Sequence, residues 1–234
     1  MLRVGLAGIR AGRYDRPPFE SSRMSREVQS SPGSFTAMNI VVAALKGGVG
    51  KTTTCVYLAA LALSARKSVA LVDADAQASA ADWIDTSDDP ALEGIELVEA
   101  PTERLLAKAL DTIDDDQLAI VDSPPGNERL IGIALERADV VVIPTRVGGV
   151  EWPRVDVVRK MVPRRTPYGL AICSARTFTN DYDETVAYWT ERGVPVWSTI
   201  PERVAIAAGP DGKLSVDGLD AYRPLWRKVA RPER

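Results

Sequence analysis

From Asn39 onward, short apolar runs rich in β-branched residues alternate with longer amphipathic stretches. This alternation is typical of βα units that wind a parallel sheet, and almost wholly apolar runs indicate strands covered by helices on both faces. The runs predict strands at Ile40–Leu45, Ser68–Asp73, Ile95–Glu99, Leu118–Asp122, Val140–Pro144, Gly169–Ser174 and Val194–Ile200. The stretches between them predict helices at Thr52–Ala65, Ala78–Ile84, Glu103–Ile113, Glu128–Arg137, Glu151–Met161, Asp183–Arg192 and Leu219–Val229. We therefore predict one doubly wound α/β domain over residues 38–234, with a mostly parallel sheet and helices on both of its faces.

The first 37 residues show neither the hydrophobic period of a helix nor that of a strand. They are rich in Arg, Ser, Pro and Gly, and they include Pro17-Pro18 and Ser30-Ser31-Pro32-Gly33. Such a composition is typical of a segment that cannot bury enough apolar surface to fold. We expect residues 1–37 to be a disordered extension or to precede the true start at Met24 or Met38, with a basic partner-binding arm as the alternative.

Composition restricts the available chemistry. Among 234 residues, 45% are hydrophobic and 26% charged, which is typical of a globular protein with a full core. The net charge of −3 means that nucleic-acid contacts would need local basic patches. Cys55 and Cys173 lie too far apart in sequence to suggest a metal or disulfide framework, and core packing explains both more simply than reactivity. The chain has no histidine and no apolar run of the ~20 residues that span a bilayer, so we expect a cytoplasmic protein whose chemistry uses carboxylates, lysines, hydroxyls and backbone amides.

The strongest motif follows the first predicted strand. It reads Lys46-Gly47-Gly48-Val49-Gly50-Lys51-Thr52-Thr53-Thr54 and leads into the first predicted helix. Glycines let backbone N–H groups turn toward an anion, and a helix N-terminus adds its positive dipole. Lys51 would supply a charge for the β- and γ-phosphates of a nucleotide, and Thr52 a hydroxyl for Mg²⁺. Leu45 replaces the first glycine of the general phosphate-loop pattern, which indicates a variant loop.

These residues resemble the ParA/MinD group of P-loop NTPases, whose deviant loop reads Lys-Gly-Gly-x-Gly-Lys-Thr/Ser. Further segments are similar to family segments in the same order: Val72–Ser79, Ile120–Gly126 and Ala138–Pro144. Trp83 and Ile200–Val204 also resemble plasmid-type ParA proteins, and the resemblance covers about residues 38–230. Two positions depart from the family pattern after Asp75, because Ala76 replaces a proline and Ala78 a glycine.

The resemblance implies a role for each matching residue. It places ATP on Lys46, Gly47, Gly48, Val49, Gly50, Lys51, Thr52 and Thr53. It implies Mg²⁺ on Thr52, with Asp73 and Asp122 acting through water. Lys46 would reach across a dimer interface to the partner's phosphates, as an arginine finger does, and would be catalytic together with Lys51. Asp75, just past a strand end, would position the attacking water.

Two basic clusters stand out in this acidic chain. The first contains Arg159, Lys160, Arg164 and Arg165, and the second contains Arg223, Arg227, Lys228, Arg231 and Arg234. Apolar residues recur at helical spacing in the last segment, at Leu219, Tyr222, Leu225, Trp226 and Val229. A solvated helix face is the simpler explanation of such charges, whereas the resemblance favours sequence-nonspecific, salt-dependent DNA binding, above all by Arg159, Lys160, Arg164, Arg165, Arg227, Lys228 and Arg231.

The resemblance therefore implies a Mg-dependent ATPase that partitions plasmid, phage or chromosomal DNA. Such a protein would dimerise on binding ATP, coat nucleoid DNA and release it when a ParB-like centromere-binding protein stimulates hydrolysis. The alternative is a MinD-like positioning ATPase whose basic C-terminal helix lies on anionic lipid, although we expect no membrane partner. Iron–sulfur relatives need paired cysteines, and this chain has no such pair.

Overall fold

In a computed structural model of the chain, residues 37–209 and 213–232 are described. The strands are β1 Met38–Val42, β2 Ser68–Asp73, β3 Ile95–Glu99, β4 Gln117–Asp122, β5 Val140–Thr145, β6 Tyr168–Ala175 and β7 Val196–Pro201. The helices are α1 Lys51–Ser64, α2 Ser79–Thr86, α3 Glu103–Asp111, α4 Glu128–Glu136, α5 Trp152–Met161, α6 Asn180–Glu191, α7 Val204–Ala207 and α8 Val216–Ala230. The prediction of a disordered or misassigned N-terminal segment falls on residues outside the described part, apart from Ala37.

The strands form one seven-stranded sheet in the order β3-β2-β4-β1-β5-β6-β7, and every neighbouring pair is parallel. The predicted doubly wound α/β fold is thereby confirmed. The central strand β1 lies between β4 and β5, so chain connections leave it toward both sides of the sheet. In open α/β sheets such a point creates a crevice at the carboxyl ends of the strands, where ligands bind.

The two sides of the sheet bury alternate residues of the strands. In β1, Ile40 and Val42 face a core that includes α1, α2 and α8, whereas Val41 faces a second core that includes α3, α4, α5 and α6. Helix α1 is enclosed on most of its circumference, since ten of its residues are buried: Lys51, Thr54, Cys55, Val56, Tyr57, Leu58, Ala59, Ala60, Leu61 and Ala62. The phosphate loop therefore joins a largely buried strand to a largely buried helix.

Helix α8 packs closely on α1. The rings of Tyr57 and Tyr222 are stacked with centroids 4.7 Å apart. A Cβ atom at Gly218 would lie 2.4 Å from the Tyr57 hydroxyl oxygen, so only glycine permits this approach. Leu225 and Val229 continue the buried face. The apolar face of this helix therefore packs in the core.

Several predicted boundaries were wrong. Strand β1 ends at Val42 rather than Leu45, because the last apolar residues of that run leave the sheet to begin the phosphate loop. Helix α8 starts at Val216, where the Ser215 hydroxyl caps it by accepting the Gly218 N–H at 2.9 Å, and it continues through Pro224. Helix α7 had no predicted counterpart, since four residues are too few for a hydrophobic period.

Candidate functional site: a nucleotide crevice at the carboxyl edge

The loop between β1 and α1 bends back on itself at two glycines. Gly48 has φ of 72° and Gly50 has φ of 98°, a left-handed region that favours glycine. At Gly50, a Cβ atom would also lie 3.3 Å from the Cys173 sulfur, so the space is closed as well. Lys51 begins α1, is buried, and donates from Nζ to the Lys46 carbonyl oxygen at 3.2 Å. Its ammonium is thus held over the loop at the positive end of the helix.

A cavity of about 460 Å³ opens beside this loop. One wall contains five residues of the predicted phosphate site: Gly48, Gly50, Lys51, Thr52 and Thr53. The opposite wall comes from the carboxyl ends of β5, β6 and β7 and from α7 and α8, with Arg146, Cys173, Ser174, Ile200, Pro201, Glu202, Arg203, Ile206, Ala207 and Tyr222. The cavity volume is within the range of small-molecule sites. The loop wall is polar, whereas the opposite wall carries both polar and apolar side chains. The predicted nucleotide would place its phosphates on the loop wall and its base on the opposite wall.

Thr52 and Asp122 meet at the carboxyl end of β4. The Thr52 hydroxyl donates to one Asp122 oxygen at 2.6 Å, and the other Asp122 oxygen is buried without a hydrogen-bond partner. Burial raises the pKa of Asp122 to about 7, despite the Thr52 hydrogen bond that lowers it. A hydroxyl and a buried carboxylate suit Mg²⁺, whose charge would offset the desolvation of Asp122. Within residues 37–209 and 213–232 no three Asp, Glu or Cys side chains group as a metal site.

Asp73 holds the loop that carries Asp75. One Asp73 oxygen accepts the Asp75 N–H at 3.0 Å. The other accepts the N–H groups of Ala80 and Ala81 at 2.9 and 3.0 Å, which caps α2. The magnesium role of Asp73 therefore stays a prediction, beside an observed role in fixing the loop. Asp75 is half-buried and accepts the Gln77 N–H at 3.0 Å, and its role with water also stays a prediction.

Lys46 does not turn toward the cavity beside its own loop. Its ammonium forms an ion pair with Glu151, in a 3₁₀ turn between β5 and α5. Lys46 and Val49 line a second, much smaller cavity with Glu151 and Arg154. Of the eight predicted ATP-binding residues, five thus line the main cavity, Lys46 and Val49 lie beside Glu151, and Gly47 lines neither cavity.

The sequence analysis missed several polar residues of the crevice. Arg146, Ser174 and Glu202 follow or end the strands β5, β6 and β7, and each lines the main cavity. Ser123, directly after Asp122, has a buried hydroxyl without a partner. All of them lie at the carboxyl end of a predicted strand, so this position was the available signal. Glu151 gave no such signal, because it was placed at the start of a helix.

Residues of or next to both predicted basic clusters lie beside a groove at the opposite, amino edge of the sheet. A groove of about 330 Å³ is lined by Thr166, Pro167, Tyr168, Pro195, Trp197 and Lys228. Arg164 and Arg165 immediately precede Thr166 of this groove in the sequence, and Arg227 adjoins Lys228 near the end of α8. The side chains of these four basic residues are exposed. Arg159 is less available, because its guanidinium donates to Asp156 at 2.8 and 3.0 Å. Lys160 and Arg231 are also exposed, whereas Arg234 lies outside the described residues.

The phosphate loop and the ends of β2 and β4 fall within one family model. Residues 40–166, more than half of the chain, match the model described as the CobQ/CobB/MinD/ParA nucleotide binding domain. This chain belongs to that family. In this CobQ/CobB/MinD/ParA domain the matched region begins in β1 and ends just before β6, so it includes Lys46, Lys51, Asp75, Asp122 and Glu151.

Named relatives of this CobQ/CobB/MinD/ParA chain include two positioning proteins. The chain is 44% identical to the maintenance of carboxysome distribution protein A of Gloeobacter kilaueensis over 108 residues, which are 45% of this chain and 48% of that protein. It is 29% identical to the chromosome-partitioning ATPase Soj of Thermus thermophilus over 239 residues, covering 81% of this chain and 94% of Soj. The first alignment thus spans about half the length of that relative.

A solved structure supports the fold at lower identity. The septum site-determining protein MinD of Pyrococcus horikoshii, complexed with Mg-ADP, has a TM-score of 0.68 and 17% identity, covering 83% of this chain and 96% of that one. This likeness shows the shared architecture of the CobQ/CobB/MinD/ParA domain.

Proposed function

We propose that this chain is a ParA-type, Mg-dependent ATPase that dimerises on ATP, binds DNA without sequence preference and partitions it. The observation that carries the proposal is the unequal placement of the two loop lysines. Lys51 lies in the main cavity, where it would bind the nucleotide of its own chain, whereas Lys46 turns away from that cavity. A lysine in this position suits a nucleotide presented by a second copy of the chain.

The residues of the crevice divide the work of ATP hydrolysis. Lys51 and the loop N–H groups would bind the phosphates, and Thr52 and Asp122 would hold magnesium. Magnesium, when bound, neutralises charge on the β- and γ-phosphates. Asp75 would orient a water for attack on the γ-phosphorus, so that the bond to ADP breaks and phosphate leaves. The three backbone N–H groups on Asp73 fix the loop from which Asp75 acts.

The groove at the amino edge supports DNA binding. Exposed Arg164, Arg165, Arg227 and Lys228 lie on both sides of it, so a single phosphate backbone would contact both clusters. Contacts between exposed cations and phosphates release counterions and carry no sequence information, so binding would weaken steeply with salt. The placement favours a nucleoid-associated protein in the cytoplasm.

The names of the relatives support a positioning task. One is named for carboxysome distribution and the other for chromosome partition. We propose DNA as the cargo because the basic groove supplies a surface for it. A ParB-like partner that binds a centromere and stimulates hydrolysis completes the proposed cycle, in which the γ-phosphate controls the dimer.

A MinD-like cycle on membranes is the competing hypothesis. It requires the apolar face of α8 to reach lipid, but Tyr222, Leu225 and Val229 of that face are buried against the body of the protein. No helix within the described residues has the length and apolar character to cross a membrane. Sedimentation with anionic vesicles and ATP decides between the two: vesicle binding without duplex DNA binding would reverse our ranking.

The proposal is tested by ATP turnover of the purified protein, alone, with duplex DNA, and with the product of a neighbouring gene for a small DNA-binding protein. We expect slow basal turnover that rises when DNA and partner are both present. Asp75→Ala should remove the stimulated turnover while nucleotide binding persists. The matched control Asp85→Ala, an exposed carboxylate on α2, should behave as wild type. Stimulated turnover in Asp75→Ala would exclude the assigned role of that residue.

A further inference from the structure

The partner of Lys46 is itself buried. In the ion pair, 44% of the Lys46 side chain is exposed but only 8% of the Glu151 side chain. We propose that Glu151 is a positioning residue that holds Lys46 within its own chain, in competition with the nucleotide of a second copy. The pair then sets the protein concentration at which ATP-bound copies associate. This inference rests on the proposed function and adds a control on its dimerisation step.

The apolar surroundings of Glu151 make it energetically costly for Lys46 to leave this carboxylate. The small cavity beside it is lined mainly by apolar side chains: Ala44, Leu45, Val49, Ile143, Pro144, Val155 and Val158. A carboxylate in such surroundings is strongly destabilising when its cation is removed, because the charge stays desolvated. Lys46 therefore cannot move to a phosphate of another copy without a penalty at Glu151.

Arg154 is placed to reduce that penalty. It lines the same cavity, follows Glu151 by three residues, and is exposed. Residues three apart on a helical turn lie on the same side, so the guanidinium can reach the carboxylate when Lys46 leaves. We infer an exchange in which Lys46 moves to phosphate and Arg154 replaces it at Glu151. Because Glu151 directly precedes α5, the exchange occurs at the start of the helix whose last turn carries Arg159 and Lys160.

The test is the protein concentration at which half of the chain is dimeric in the presence of Mg-ATP, measured by sedimentation velocity. Glu151→Gln keeps the shape but removes the charge, and it should lower this concentration about tenfold, the usual weight of a hydrogen bond to a charged group. Arg154→Gln should raise the concentration, because Glu151 is then left without a replacement. The double variant should show no effect of Arg154→Gln. Glu103→Gln, which removes a surface ion pair with Arg129, is the matched control and should not change the concentration.

A second measurement examines the contact without dimerisation. In the nucleotide-free monomer, modification of Lys46 by an amine-reactive ester should be several-fold faster in Glu151→Gln than in wild type, with exposed Lys160 as internal reference. Equal rates would overturn the inference.

The two proposals fail in different ways. If wild type dimerises with ATP but Glu151→Gln needs the same or a higher concentration, Glu151 does not compete for Lys46, and only this inference is lost. If wild type and Glu151→Gln both stay monomeric with ATP, the dimerisation step of the proposed function is lost with it.

Discussion

The carboxyl and amino edges of the same sheet hold their charges in opposite ways. At the carboxyl edge, Lys51, Asp73, Asp122 and Glu151 are each buried as whole residues, at most 7% exposed, and each makes a hydrogen bond or an ion pair within the chain. At the amino edge, the basic side chains beside the Trp197 groove are mostly exposed. Buried charges are costly and keep one geometry, which suits chemistry on a phosphate. Exposed charges are screened and adaptable, which suits a ligand that is recognised only as a polyanion.

The largest expected effect is at Asp122, where the comparison predicts a strong pH dependence of stability. Its folded pKa of about 7 is above the ordinary value of 3.8, so the folded protein keeps a proton that the unfolded chain loses. Stability should therefore fall as pH rises from about 4 to about 7, and should be unaffected by this group above that. Asp122→Asn imitates the protonated form and should remove a loss of up to about 4 kcal/mol.

This prediction is measured by urea unfolding between pH 5 and pH 8 of the nucleotide-free protein in chelator. Exposed Asp116→Asn is the control and should follow the wild-type curve. The Asn variant should exceed wild type only modestly at pH 5, where about a third of the loss has occurred, and by the full loss at pH 8. Parallel curves for wild type and Asp122→Asn would show that this buried charge is not costly, and would remove the contrast between the edges.

A smaller but still large effect is expected at Lys51. Lys51→Ala should weaken binding of Mg-ATP about a hundredfold, because one or two charge-assisted hydrogen bonds to phosphate are lost. Isothermal calorimetry measures the affinity, and Lys108→Ala, an exposed lysine of α3, is the control. An unchanged affinity in Lys51→Ala would place the nucleotide elsewhere.

At the amino edge we expect a moderate effect that depends on salt. Arg164→Ala combined with Arg165→Ala should weaken duplex DNA binding about tenfold near 0.1 M salt and reduce the slope of log affinity against log salt by about 2. The control is Arg104→Ala with Arg129→Ala, which removes the same charge from exposed positions on α3 and α4. Fluorescence anisotropy over a salt series measures both. Equal losses in the two variants would indicate a general effect of net charge rather than a groove.

The smallest expected effect concerns Ala78, at the family's glycine position. Its φ of 51° and ψ of 34° are left-handed, a conformation that costs a non-glycine residue about 1 kcal/mol. Ala78→Gly should raise the free energy of unfolding by up to about 0.5 kcal/mol, since added freedom of the unfolded chain offsets part of the relief. Thermal unfolding of Ala78→Gly measures the sign of this stability change. The control Ala107→Gly, in the middle of α3, should be destabilising. A loss of stability in Ala78→Gly would mean that no strain is stored beside Asp75.

Much of the candidate site could be predicted because phosphate-loop chemistry is local in sequence. The loop residues are consecutive, and Gly48 and Gly50 adopt the conformations for which glycine is needed. Asp122 was proposed because it ends an apolar strand in a segment that resembles the family, and its magnesium role stays a prediction. Arg146 and Glu202 were missed because no local pattern links them to the loop, although they line the same cavity. The ends of parallel strands come together only when the strand order of the sheet is known.

By itself, the sequence determined the alternation of strands and helices, the phosphate loop and the apolar face of the last helix, because these follow from hydrophobic period and backbone freedom within short segments. Only the tertiary structure decided that Glu151 binds Lys46, that Asp73 caps α2, and that Lys228 lines a groove with the residues that follow Arg165. Those contacts join residues that are distant in sequence, or depend on the backbone conformation of a loop. Packing of the whole sheet, rather than any local preference, brings them within reach.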